Sequence, residues 1–184
     1  MNIIIYDFGT SSVKTCLFEI GEEIKLVASS VAAYGLYISG DGGAEQDAEE
    51  WWAALCRTTS DLFNKSDVSP GEIEGLAFCS QMQGTVLVDE NANAVRPPMN
   101  YLDQKGVKEY KDCMGNGIIK VSGCSLYKLI RNLIVNYAGS TSTKDPVWKY
   151  KWVENHEPDV YSRIYTQKPN SFEAVVNKPA SKSR

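Results

Sequence analysis

Asn2-Ile3-Ile4-Ile5-Tyr6-Asp7-Phe8-Gly9-Thr10-Ser11-Ser12-Val13-Lys14 is the stretch on which the fold turns. The Ile-rich run over 2–6 fits a short buried strand. Asp7 to Ser12 is a polar turn holding Gly9, and 13–20 is again strand-like. A second turn at Gly21-Glu22-Glu23 leads to a third stretch of strand character over 24–33. Successive strands joined by tight turns predict an antiparallel meander.

The first turn carries a chemistry of its own. Gly9 with the small hydroxyl residues Thr10, Ser11 and Ser12 lets backbone N–H groups and side-chain hydroxyls come close to an anion. Asp7, at the strand end, can hold Mg²⁺ directly or through water, because that ion takes oxygen ligands and keeps its waters. Lys14 adds positive charge for a phosphate. The loop is not of the Walker A kind, which joins a strand to a helix. An ordinary hairpin turn uses the same residue types, so these residues alone leave both readings open.

Outward from the meander, 34–46 reads as a loop broken by Gly40, Gly42 and Gly43. A helix follows. Asp47 caps it, Glu50 completes an Asp-x-x-Glu box, and Trp51, Leu55, Thr58 and Leu62 fall on one face. A loop at Ser69-Pro70-Gly71 precedes a fourth strand over 73–79. Stretches 85–88 and 94–96 flank Asp89-Glu90-Asn91-Ala92 as a hairpin, and 104–113 fits a short helix. The 115–143 region is ambiguous, with helical spacing over 126–137 and a polar loop over 139–144. Asp145 caps a further helix with Pro146 in its first turn and Trp148, Trp152 and Val153 on its inner face. Pro158 opens a last short helix. Three antiparallel strands, a crossover helix and a parallel strand predict an α/β fold, the ribonuclease-H-like (actin-like ATPase) domain with a mixed β-sheet flanked by helices.

Composition sets outer limits. The chain has 184 residues, 43% hydrophobic and 23% charged, enough for one domain with a real core. A net charge of −4 argues against nucleic acid as the main partner. Cys16, Cys56, Cys79, Cys113 and Cys124 form no Cys-x-x-Cys pair, and read as reduced thiols of a cytoplasmic protein, several of them buried. His156 is the lone histidine, which leaves no zinc-ligand spacing. The sequence lacks the run of roughly 18 apolar residues that a membrane span needs.

Taken in order, the motifs resemble those of the FGGY family of carbohydrate kinases. Asp7-Phe8-Gly9-Thr10-Ser11-Ser12-Val13-Lys14 is similar to the family's N-terminal phosphate motif. Glu45-Gln46-Asp47 with Trp51-Trp52 resembles Glu-Gln-Asp-Pro-x-x-Trp-Trp, with Ala48 in place of the proline. Residues 73–84 resemble the strand and Gly-Gln-Met-His-Gly loop of xylulokinases, Tyr101-Leu102-Asp103-Gln104-Lys105 the family's Trp-x-Asp-x-Arg, and 149–164 its helix ending in Asn-x-Pro-x-x-Tyr-x-x-Ile.

That resemblance implies ATP-dependent phosphorylation of a sugar or polyol hydroxyl, pentulose-like, in a cleft between two actin-like domains. By position, Asp7, Gly9, Thr10, Ser11, Ser12 and Lys14 would meet the ATP phosphates, with Asp7 on Mg²⁺. Gln81, Met82, Gln83 and Asp103 would meet the sugar. Met82 reads equally as core filling, Gln83 as a solvated amide, and Asp103 as the cap of a helix starting at Gln104. Gln83 stands where xylulokinases have histidine, and Lys105 replaces an arginine fork. The expected partners are a small sugar, a C-terminal ATP-binding domain that this chain lacks and, for a homodimer, a second copy; nucleic acid and membrane are not expected.

By the resemblance, the family's general-base aspartate is expected beyond residue 184. After Ile164 an apolar segment is expected, and Tyr165-Thr166-Gln167-Lys168-Pro169-Asn170 stands there instead. Residues 1–165 therefore read as the sugar-binding domain, incomplete, and 166–184 as a disordered or aberrant tail. The chain reads as a truncated fragment without activity of its own. The alternatives are a non-catalytic sugar-binding or regulatory remnant, or another member of the actin-like group.

Overall fold

The computed structural model describes residues 1–136 and 142–165. β1 (Asn2–Phe8), β2 (Ser12–Ile20) and β3 (Ile24–Ala33) form the predicted antiparallel meander. Their register sets Ile4, Leu17 and Ala28 in one row across the strands and Phe8, Val13 and Ala32 in another. Alternation sends both rows to the same face of the sheet. Asp7 and Lys14, themselves register partners, share the opposite face.

The short strands β4 (Tyr37–Ile38) and β5 (Ala44–Glu45) pair ahead of α1 (Ala48–Asn64). Asp47 caps α1, its carboxylate accepting the Glu49 N–H at 2.9 Å. Glu50 does not close the predicted capping box. Its carboxylate accepts the Gly35 N–H at 2.6 Å and the Tyr37 hydroxyl at 2.5 Å, which holds the start of the 34–46 loop against the helix.

α1 lies over the apolar face of the meander, burying Ala54 and Leu62 against Ile4, Val13, Leu17 and Ala32. Hydroxyl groups lock the layers together. Thr15 and Thr58 meet at 2.7 Å, Tyr6 and Thr59 at 2.8 Å, and Ser30 donates to Asp61 at 2.8 Å. Trp51 packs at the edge of this core, while Trp52 is exposed.

β6 (Ile73–Ser80) returns parallel to β1, giving the order β3-β2-β1-β6. The sheet is mixed, as a strand reached through a helix requires. Beyond it the expected 85–96 hairpin is reduced to backbone pairs, Val88 with Ala94 and Thr85 with Met99. Pro97 and Pro98 have no N–H to continue a ladder. The Asp89 carboxylate closes the turn by accepting the N–H groups of Asn91 and Asn93, each at 2.9 Å.

α2 (Val107–Met114) starts later than the expected residue 104, with Gly106 rather than Asp103 at its cap. Next comes β7 (Lys120–Val121) paired with β8 (Cys124–Ser125). The turn between them, Ser122 (φ 50) and Gly123 (φ 81), has the two positive φ angles of a tight hairpin. α3 (Leu126–Asn136) follows where helical spacing places it. α4 (Pro146–His156) starts at Asp145-Pro146 as expected, with Trp148 and Val153 buried, and α5 (Pro158–Tyr161) is the last helix among the described residues.

The expected tail 166–184 and residues 139–141 of the polar loop lie outside the described residues. Burial corrects the cysteine expectation: Cys124 is buried, Cys16 half-buried, and Cys56, Cys79 and Cys113 exposed, because the last three sit on helix surfaces or the outer strand. No described helix is long and apolar enough to cross a membrane.

Candidate functional site

The turn from Asp7 to Ser12 is built around its own carbonyls. Gly9 N–H donates to the Ser12 carbonyl at 2.9 Å, and a Cβ at Gly9 would stand 3.3 Å from that oxygen. The Gly9 carbonyl accepts the Tyr34 hydroxyl at 2.5 Å, the Thr10 carbonyl accepts Gln46 Nε2 at 2.8 Å, and the Ser11 carbonyl accepts the Tyr34 N–H at 3.0 Å. All three carbonyls are thus turned toward protein donors, which keeps acceptors from repelling an anion at the turn. Burial, with the Asp7 charge adding to it, pushes the Tyr34 phenol up to about 12 and keeps it a donor.

Asp7 and Lys14 are both exposed and stand side by side in the ladder, with Cys79 on the other side of Asp7. The exposed Asp7 carboxylate fits a Mg²⁺ held through oxygen and water. Among the described residues no group of three or more His, Cys, Asp or Glu side chains could enclose a metal. Mg²⁺ beside phosphate commonly uses only one or two protein carboxylates.

Gln81 continues from β6, its N–H donating to the Phe8 carbonyl at 2.8 Å. Gln81 and Met82 then line a cleft of about 650 Å³, over Phe8, Trp51 and Met99, with Gln46 at its wall. Gln83 lines it too, in a left-handed conformation (φ 60) that few non-glycine residues adopt. Met82 is 80% exposed, which rules out the core-filling alternative.

Asp103 is not part of this lining. It is 1% exposed, and its carboxylate oxygens accept the Ala44 N–H at 2.9 Å and the Lys105 N–H at 3.0 Å. The structure therefore gathers Gln81, Met82 and Gln83 at one cleft and leaves Asp103 behind it.

Amide side chains join the turn to the cleft. Gln46 donates to Thr10, and its Oε1 accepts Gln81 Nε2 at 2.6 Å and Asn100 Nδ2 at 3.1 Å. Asn100 also donates to Gln81 Oε1. Both Gln46 and Asn100 are buried, so each amide depends on the others for its hydrogen bonds. Lys149 of α4, fully buried, donates to the Gln83 carbonyl at 2.8 Å and the Asn100 carbonyl at 2.6 Å. Nearby, Glu45 ion-pairs with both Arg96 and Lys105, and the Trp152 ring lies under both cations.

Residues 2–169 match the N-terminal domain of the FGGY family of carbohydrate kinases. The chain belongs to the FGGY family. A xylulose kinase of Staphylococcus xylosus is 29% identical over 163 residues, covering 89% of this chain and 31% of the relative. A xyloylose kinase from Brucella ovis superposes with a TM-score of 0.75 at 20% identity, over 89% of this chain and 31% of that one. A Plasmodium falciparum glycerol kinase solved with ADP superposes with a TM-score of 0.68 at 18% identity, over 88% and 30%. The fold is the actin-like ATPase fold of these sugar kinases. The chain spans about 30% of the length of the FGGY kinases it matches.

Against this FGGY background, the residues that sequence reading gave no role are Gln46, Asn100 and Lys149. Lys149 left a trace in the sequence. It lies four residues before Val153, on the inner stripe of α4, where a charge must find partners. Gln46 lies within the Glu45-Gln46-Asp47 motif and Asn100 directly before Tyr101-Leu102-Asp103, but neither motif shows what they bond, because their partners are remote in the chain. One more contact depends on a missing side chain: a Cβ at Gly106 would meet the Trp148 carbonyl carbon at 2.6 Å, so the chain and α4 touch backbone to backbone there.

Proposed function

We propose that residues 1–165 form the sugar-binding half of an ATP-dependent kinase that phosphorylates a hydroxyl of a pentulose or similar polyol. The observation that carries this reading is the buried amide chain from Thr10 through Gln46 to Gln81 and Asn100. It couples a turn shaped for an anion to a cleft lined by amides over an apolar floor. A sugar needs this combination of paired donors and acceptors above an apolar surface.

In this reading Gln81 and Gln83 bond sugar hydroxyls and Met82 covers the ring. Asp103 acts from behind, holding the Ala44 and Lys105 backbone in place. The N–H groups and hydroxyls of Gly9, Thr10, Ser11 and Ser12, with Lys14, receive the phosphates of ATP. Asp7 would hold Mg²⁺, which when bound neutralises phosphate charge. Phosphoryl transfer rests on positioning and charge stabilisation, and the proton of the attacking hydroxyl is taken by an aspartate outside these residues. The free state of all five cysteines fits a reducing cytoplasmic setting.

Calorimetric titration of the 184-residue chain with D-xylulose and with glycerol tests this, beside ATP hydrolysis with and without each sugar. Saturable binding of one of them without sugar-stimulated hydrolysis is expected. Sugar-stimulated turnover would overturn the division of labour, and a folded chain that binds neither sugar would overturn the pocket.

A further inference from the structure

Lys149 is 0% exposed, yet its neighbours are main-chain carbonyls rather than a carboxylate at ion-pair distance. An ammonium held this way is costly to bury. Burial accordingly lowers its proton affinity, with the charge of Asp103 acting in the opposite direction. A methionine would fill the same volume without that cost, so packing alone does not account for a lysine here.

What the ammonium touches does account for it. The Gln83 carbonyl belongs to a residue in the left-handed region, a conformation that persists only where its surroundings hold it. The Asn100 carbonyl belongs to the amide that bonds both Gln46 and Gln81. One buried donor group therefore anchors both sides of the cleft, the Gln81–Gly84 loop and the Asn100 segment, to the first turns of α4. Asp145, the cap residue of α4, adds a second tether, 3.4 Å from Gln83 Nε2.

We propose that Lys149 is a positioning residue of the sugar pocket: by holding the Gln83 and Asn100 carbonyls it fixes the backbone that carries Gln83 at the cleft and the Asn100 side chain that bonds the Gln81 amide. This rests on the pocket reading above, and Lys149 itself touches no sugar.

The test compares Lys149→Met with Met114→Ala, which opens the core beside Trp148 on the same helix without lining the cleft. Both are titrated with D-xylulose, and backbone amide exchange is followed by NMR or mass spectrometry. Lys149→Met is expected to weaken D-xylulose about tenfold and to speed exchange at residues 83–86, the size of effect that losing bonds to a charged donor produces. Met114→Ala is expected to lower the melting temperature while affinity stays within about twofold. Equal weakening by both variants would reduce Lys149 to general stability and overturn the proposal, as would unchanged affinity in Lys149→Met. If the unmodified chain binds no sugar, the pocket reading fails and amide exchange alone decides. Faster exchange confined to the loop and the Asn100 segment then supports the anchor, and unchanged exchange overturns it. Should Lys149→Met not fold, Lys149→Gln, which keeps a donor without the charge, takes its place in the same comparison.

Discussion

The meander with α1 and the described residues from Gly84 to Ile164 are held by different forces. In the first, aliphatic and aromatic side chains from the strands meet one face of one helix, and the polar contacts are short hydroxyl pairs across that interface. In the second, the apolar clusters are small, around Leu87, Met99 and Val153 and around Met114 and Trp148. Asn100, Asp103, Arg96 and Lys149 of this region are buried, and Asn100 bonds the buried Gln46 that precedes α1. A core of the first kind gains stability roughly in proportion to the area it buries. A network of the second kind adds little net stability when complete and costs much when one member is removed. The difference teaches where each part's precision comes from: apolar packing fixes the sheet, and polar connectivity fixes the cleft.

The comparison breaks most visibly in the first region. Leu17→Ala empties a fully buried site between β2 and α1 and should cost about 2–5 kcal/mol of unfolding free energy, read from denaturant midpoints. Sugar titration of the fraction that remains folded should be unchanged, because Leu17 lies away from the cleft.

Asn100→Leu sharpens the contrast. It should cost about 2 kcal/mol, since Gln46 and Gln81 each lose an amide partner inside the protein. Its main effect should appear as faster amide exchange around Gln81 and weaker sugar binding. A loss of stability with the loop still protected would mean that the amides only fill space.

The smallest effect is at the turn. Tyr34→Phe should cost about 1 kcal/mol at neutral pH by removing the bond to the Gly9 carbonyl. Its signature lies at alkaline pH. The Tyr34 phenol titrates near 12 in the fold against 10.0 when free, so between those values the unfolded chain loses its proton first. Stability therefore falls as pH rises through that window. The variant should flatten the fall, leaving the part due to Tyr150, which burial and Tyr161 also push up to about 12, and to Tyr37, which its bond to Glu50 raises. A profile that does not change would detach Tyr34 from the turn.

The same contrast explains what the sequence discloses. Strand alternation, the Asp47 cap and the Asp145-Pro146 start are local patterns, and each appears in the fold where the pattern puts it. The Ser122-Gly123 turn was equally local, but the two-residue strands on either side of it are too short to show an alternation. Glu50 and Asp103 mislead for one reason. Each has the right spacing to cap a helix, but a remote backbone N–H, Gly35 for one and Ala44 for the other, takes its carboxylate. The cleft residues Gln81, Met82 and Gln83 are legible through an ordered set of motifs. The support beneath them is not, because Gln46, Asn100 and Lys149 acquire meaning only once distant segments meet.

The bare backbone contact at Gly106 has a practical corollary. Alanine is usually the gentlest replacement for glycine, yet at the buried Gly106 a single methyl would strike the main chain of α4 at Trp148. The helix would have to back away as a unit, carrying the lysine stem with it and prying open a pocket that the new side chain never reaches. Random mutagenesis scored only by sugar titration would flag position 106 as a binding residue, although its contact is with α4.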